Sequence, residues 1–285
     1  MSGDVLATIA ARVAEFCAFP PGAALPAEAE GIAVELLSLL EQGEVRAAQR
    51  DHSGRWIAVP WVKQGILLAF RVGHVVPMGE AGGVFSFLDK HTLPTRRFSL
   101  GDGVRVVPGG STVRRGAYLA AGVVCMPPMY VNVGAHVGAG TMIDSHALIG
   151  SCAQIGERVH VSAAAQIGGV LEPVNAAPVV VEHDVVIGGN CGVYEGTVVR
   201  EHAVLGAGVV LTRGTPVFDL VRKTVYRGTA DAPLEIPAGA VVVPGARSVR
   251  DGWGAESGLS LQTPVIVKYR DDKTDLATAL EAWLR

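Results

Sequence analysis

This sequence offers no disulfide framework, no cysteine-built zinc site, no membrane span and no nucleic-acid footprint. Its four cysteines (Cys17, Cys125, Cys152 and Cys191) form no CxxC pair, so disulfides and structural zinc are not expected and a reducing, cytoplasmic setting is. No apolar run reaches the ~18 residues of a bilayer-crossing helix, and no basic start followed by an apolar stretch marks an export leader. The 24 lysines and arginines stand against 27 acids for a net charge of −3. They form no run, which removes the electrostatic case for nucleic acid. Aromatic residues make up only 6% of the 285 positions. Any core must therefore be built from aliphatics.

What the chain has instead is a beat of six. Val107, Val113, Leu119, Cys125, Val131, Val137, Ile143, Ile149, Ile155, Val161 and Ile167 share one register. A second train follows at Val181, Ile187, Val193, Val199, Leu205, Leu211 and Val217, and Ile236 and Val242 continue it. Six fits neither the helix period nor the strand period. It is the mark of a parallel β-helix built from hexapeptides. Three hexapeptides make one triangular coil, with inward aliphatics stacked in ladders at the strand spacing of about 4.8 Å. The fifth position also faces in, near a corner, and is mostly small: Ala117, Ala135, Thr141, Ala147, Ala153, Ala165, Cys191, Thr197 and Ala203. Met129 and Leu171 depart from that rule. Glycines gather at the second and fourth positions, where corners need positive φ or close backbone approach. An ordinary Val/Gly-rich sandwich has no reason to hold this phase.

The rest of the chain has another texture. Residues 1–100 read as an α-rich N-terminal domain with helices over 4–16 (Val5, Ile9, Val13 and Phe16 on one stripe), 27–42 and 61–72. A hairpin is expected over 44–49 and 55–59, and a loop-rich passage over 73–100. Residues 101–245 read as the β-helix, with loops leaving it at 172–178 and 218–235. Residues 246–285 read as a cap made of a strand over 263–270 and a helix over 274–285. Open coil ends need covering, and flat sides favour a three-fold ring, so a homotrimer is expected.

Ionisable groups in so regular a repeat need a reason. Asp144 occupies a second position where glycine is common, Glu195 follows Tyr194, and Arg105 stands at the coil entrance. A carboxylate beside a subunit interface can serve as general base or orient an amine. An arginine can hold a carboxylate through paired hydrogen bonds. On spacing alone, a merely solvated coil surface with a stray acid is the plainer account of the same residues. Of the coil histidines (His136, His146, His160, His183, His202), no two are five apart, the spacing sought for a zinc site shared between subunits. No metal is expected. His146 is the one nearest Asp144 in sequence and remains a minor candidate.

Residues 98–245 strongly resemble the tetrahydrodipicolinate N-succinyltransferases of bacterial lysine biosynthesis. The resemblance rests on Arg105-Val106-Val107-Pro108-Gly109, Gly140-Thr141-Met142-Ile143-Asp144, Gly150-Ser151-Cys152-Ala153-Gln154-Ile155-Gly156 and Gly168-Gly169-Val170-Leu171-Glu172-Pro173. It extends to Arg46 and Trp56 before the coil and to Val265-Ile266-Val267-Lys268 after it. It implies a left-handed β-helix, although parallel crossovers are otherwise right-handed. It implies transfer of succinyl from succinyl-CoA, as co-substrate, to an amine derived from tetrahydrodipicolinate, in clefts between the subunits of a trimer, with no permanently bound cofactor. By matching motif, Arg105 would bind a substrate carboxylate, Asp144 would bind substrate and assist its amine, and Glu195 would be the partner acid. Lys268 would either meet a CoA phosphate or stand as a plain solvated lysine. Ser145-His146 replaces the threonine and tryptophan usual in the family, so the wall beside Asp144 differs. Two rivals remain at this point: the same fold with acetyl-CoA or another amine acceptor, and a non-catalytic scaffold or metal-binding module.

Overall fold

The computed structural model describes residues 3–79, 86–229 and 232–271. Its centre is a left-handed parallel β-helix of two-residue strands with three flat sides. The first side begins at Arg105–Val106 and continues through Val124–Cys125, Met142–Ile143, His160–Val161, Val186–Ile187 and Val204–Leu205. The second runs from Thr112–Val113 to Val210–Leu211, and the third from Tyr118–Leu119 to Glu235–Ile236. Partners within a side are 18 residues apart, as in His136↔Gln154. The ladder from Val113 to Ile167 lies inside, with Cys125 through Ile167 fully buried. Burying a side chain of this kind contributes about 1.5–3 kcal/mol, and the six-residue phase is how the sequence repeats that contribution at every strand.

The two kinds of glycine position separate by cause. The fourth position carries positive φ at most corners: Gly134 at 75° and Gly140 at 67°, but also His146 at 63° and Cys152 at 65°. Where the second position is glycine, it is the absence of a side chain that is used. A Cβ on Gly138 would lie 2.5 Å from the Gly156 carbonyl carbon of the next coil.

Val107 does not join the ladder. Val106, not Val107, pairs with Cys125, 19 residues on. One extra residue is taken up by the corner after it, where Gly109 and Gly110 both have positive φ. The ladder therefore starts at Val113. Further along, Ile155 pairs with Val181, 26 residues on, because the loop at 172–178 leaves the coil and returns in register. Val199 pairs with Ile236 after a longer excursion. That excursion is itself a hairpin, Val217–Asp219 against Thr224–Tyr226, and it lies beside the strand Ser260–Tyr269. Ser260–Tyr269 also runs antiparallel to Ala240–Ser248, which belongs to the last coil and crosses the 245/246 boundary without a break. The helix expected over 274–285 lies outside the described residues.

Helices α1 (Gly3–Cys17), α2 (Glu28–Glu41) and α3 (Pro60–Val72) precede the coil. They form one core with Val133 and Cys152 from the corner between the second and third sides. Val5, expected on the buried stripe of α1, is exposed, while Ile9, Val13 and Phe16 are buried. The first hairpin pairs Ala48–Arg50 with Trp56–Ala58. A second, Val75–Pro77 against Leu88–Lys90, stands in the stretch expected to be loop.

Candidate active site

Asp144 follows the strand Met142–Ile143 and opens the corner between the first and second sides. Its Oδ1 accepts from the Ser145 N–H at 3.1 Å, which fixes the carboxylate against its own corner. Its Oδ2 lies 3.6 Å from Nε2 of His160. His160 is the outward residue one coil on, paired with Met142 across the first side. It is nearly buried, whereas Asp144 is about a third exposed. The pair is a carboxylate open to a ligand and backed by an imidazole. His146 turns the corner in the left-handed region and is exposed. The histidine beside Asp144 is His160.

Arg105 stands on the same first side, two strands before Met142 (Arg105↔Val124↔Met142). It is exposed, and its guanidinium makes no hydrogen bond or ion pair with the described residues. A free guanidinium about 10 Å along the axis from Asp144 can take one carboxylate of a diacid whose other end reaches the Asp144 corner. Lys268 lies at the far end of the same sheet, opposite Val241. Its ammonium is held by Asp271 at 3.0 Å, and about 24 Å of stacked strands separate it from Asp144.

Glu195 sits at a different corner, between the second and third sides, two coils further along. Its φ is 54° and that of Gly196 is 74°, so two successive residues adopt left-handed backbone. Such strain in a non-glycine residue persists only where surroundings impose it. Its Oε2 accepts from the Arg213 N–H at 3.0 Å. The carboxylate lines a cavity of about 220 Å³ with Trp56, Asn175, Ala177, Arg213 and Thr229 among its walls. The wall formed by the 172–178 loop is anchored by Lys63 of α3, whose buried ammonium donates to the Ala176 carbonyl. Burial pushes that ammonium below its ordinary pKa.

A buried ion network adjoins this cavity. Glu182, 3% exposed, accepts from Arg50 at 2.7 Å, Arg200 at 3.0 Å, the Trp56 indole N–H at 2.8 Å and the Glu201 N–H at 3.2 Å. Burial pushes its carboxyl up, but these four donors outweigh that and hold it below the usual carboxylate range. The network clamps the Trp56 hairpin onto the third side.

The fold thus brings Asp144, Arg105 and His160 to one side and leaves Glu195 at another corner. The His160 contact had a signal, since 160 is one coil of 18 beyond 142. In the Glu182 network Arg200 lies one coil of 18 beyond Glu182, but Arg50 and Trp56 come from outside the repeat and carried no such signal. Among the described residues no group of three or more His, Cys, Asp or Glu is placed to hold a metal ion, and no helix is long and apolar enough to cross a membrane.

Comparison with known proteins agrees with the fold. Residues 21–72 match the family model described as tetrahydrodipicolinate N-succinyltransferase N-terminal, and residues 178–213 match the hexapeptide repeat of succinyl-transferase. The 2,3,4,5-tetrahydropyridine-2,6-dicarboxylate N-succinyltransferase of Rhodopseudomonas palustris is 39% identical over 92% of each chain. The enzyme of that name from Polynucleobacter asymbioticus is 41% identical over 91% of each chain.

Proposed function

Since the chain belongs to the tetrahydrodipicolinate N-succinyltransferase family, we propose that Asp144, Arg105 and Glu195 form its acyl-transfer site, completed only between copies of the chain. The protein is an acyltransferase of the diaminopimelate and lysine pathway that uses a CoA-linked acyl donor. In our reading that donor is succinyl-CoA and the acceptor is the amine of the diacid derived from tetrahydrodipicolinate. Arg105 holds the diacid's distal carboxylate. Asp144 orients the amine and takes its proton, with His160 beside it. The amine nitrogen forms a bond to the thioester carbonyl carbon, the C–S bond breaks, and the sulfur leaves as CoA thiolate, which is reprotonated. Charge building on the carbonyl oxygen calls for N–H donors at the site. Holding both substrates in one groove supplies much of the rate. The chemistry requires no metal or resident cofactor.

The observation that carries this reading is the separation of Asp144 from Glu195 by a whole side of the prism and two coils. One protomer does not bring them together. Three prisms side by side, the second side turned toward a three-fold axis, bring the Asp144 corner of one copy toward the Glu195 corner of the next. The remaining offset along the axis, about 10 Å, is of the order of an extended diacid. Under this reading residues 1–100 and 246–285 flank the prism of 101–245 as its caps, Lys268 stands near the CoA end, and the enzyme works in the cytoplasm. The decisive assay supplies purified protein with tetrahydrodipicolinate and either succinyl-CoA or acetyl-CoA and reads free CoA. Faster turnover of succinyl-CoA is expected. Faster turnover of acetyl-CoA, which the exposed His146 in place of the family's tryptophan makes worth testing, would reject the donor assignment.

A further inference from the structure

A second cavity, about 330 Å³, lies on the third side beneath the Trp56 hairpin; it shares Trp56 with the Glu195 cavity but is lined by neither Asp144 nor Glu195. Its walls include Arg46, Trp56, Tyr118, His136, Gln154 and Glu182. Every charge in this wall has a partner except one. Arg50 is committed to Glu182, and Glu157 to Arg158. Arg46 has no carboxylate within reach among the described residues. Its Nε donates to Gln154 Oε1 at 2.9 Å, and its guanidinium lies 5.6 Å from the Trp56 ring centroid. Gln154 is itself fixed by donating to the Cys152 carbonyl at 2.8 Å. The guanidinium is therefore pinned through Nε, with its two terminal nitrogens uncommitted. Beside it His136 stacks on Tyr118, centroids 4.5 Å apart, and its buried Nδ1 has no hydrogen-bond partner. Burial and the Arg46 charge push that imidazole down to about 3, so it is neutral and can donate one N–H.

A half-buried guanidinium without a counter-ion is costly unless something fills the space. We propose that this cavity binds a small, flat carboxylate, its two oxygens on the terminal nitrogens of Arg46 and its apolar body between Trp56 and Tyr118. A single free cation with a planar fork suits a monocarboxylate. A doubly charged phosphate would face the Glu182 wall with only one cation to meet it.

The test is calorimetric titration of the full-length protein with benzoate, acetate and, as the uncharged shape control, benzamide. Saturable binding of benzoate is expected, with acetate weaker and benzamide undetectable. Arg46→Met should weaken benzoate by at least about tenfold, and Arg46→Lys, which keeps the charge but loses the fork, by an intermediate factor. Asp144→Asn should bind benzoate like the wild type, which separates this cavity from the acyl-transfer site. Circular dichroism of each variant reports whether it is folded. Benzamide binding as well as benzoate, equal affinity in folded Arg46→Lys, loss of binding in Asp144→Asn, or no saturable binding of either carboxylate at millimolar concentration would each overturn the proposal.

Discussion

Val107 and Val131 are in the same six-residue phase of the sequence, yet the structure assigns them opposite fates. Val131 is fully buried and stacked between Val113 and Ile149. Val107 is half-buried and one residue out of register. Val131→Ala removes two carbons, about 1.6 kcal/mol of transfer free energy at ~0.8 per methylene. The hole left in a ladder with neighbours above and below raises the cost to about 2–3 kcal/mol. Val107→Ala removes the same two carbons from a corner that can relax, and costs about 0.5 kcal/mol or less. Urea unfolding followed by circular dichroism, at one fixed protomer concentration because association adds to stability, reads the difference. With an m-value near 3 kcal/mol/M for a chain of this size, the two midpoints should differ by about 0.7 M. Equal midpoints would refute the register slip at the coil entrance.

Other consequences are open to direct measurement. Because Glu182 titrates below its unfolded value, its contribution is present above the ordinary glutamate range and is lost as pH falls through its depressed folded value. Glu182→Gln should cost about 3 kcal/mol near neutrality, since it breaks a buried ion network, and should flatten the acid limb of stability against pH; an unchanged acid limb would contradict the network. Burial pushes the Cys125 and Cys152 thiols up to about 12, so native protein should resist iodoacetamide there, while the partly exposed Cys17 reacts slowly and all four react in denaturant. Mass spectrometry of the labelled peptides decides this. Arg105→Ala should raise KM for the diacid acceptor about 10- to 100-fold, with little change in KM for the acyl donor. Equal effects on both substrates would remove Arg105 from the acceptor's carboxylate.

The coil was legible because each hexapeptide repeats one physical demand, an aliphatic inside and a bend after it, and Cys125 through Ile167 meet it without exception. Its entrance was misread because Val104, Val106 and Val107 all satisfy an aliphatic pattern, and only the two-glycine corner at Gly109–Gly110 shows where the extra residue goes. The hairpin Val75–Pro77 with Leu88–Lys90 carries too few residues to show alternation. Asp144 stood out as an ionisable group where the repeat favours glycine, while Arg105 and Glu195 were picked out by the family motifs they match. His160 did not, because its relation to Asp144 runs through the 18-residue coil rather than along the chain, and the nearer His146 drew the attention. Arg46, His136 and Glu182 meet across the docking of two differently patterned parts, which no single period encodes.

The central claim is that Asp144 and Glu195 act together from different copies. Mixing Asp144→Asn and Glu195→Gln chains in equal amounts under conditions that exchange subunits tests it most directly. In a randomly mixed three-fold ring, about a quarter of the interfaces recover both native acids, so about a quarter of wild-type succinyl transfer should return from two nearly inactive proteins. A mixture of proven exchange whose rate stays at the average of the two variants would contradict the account.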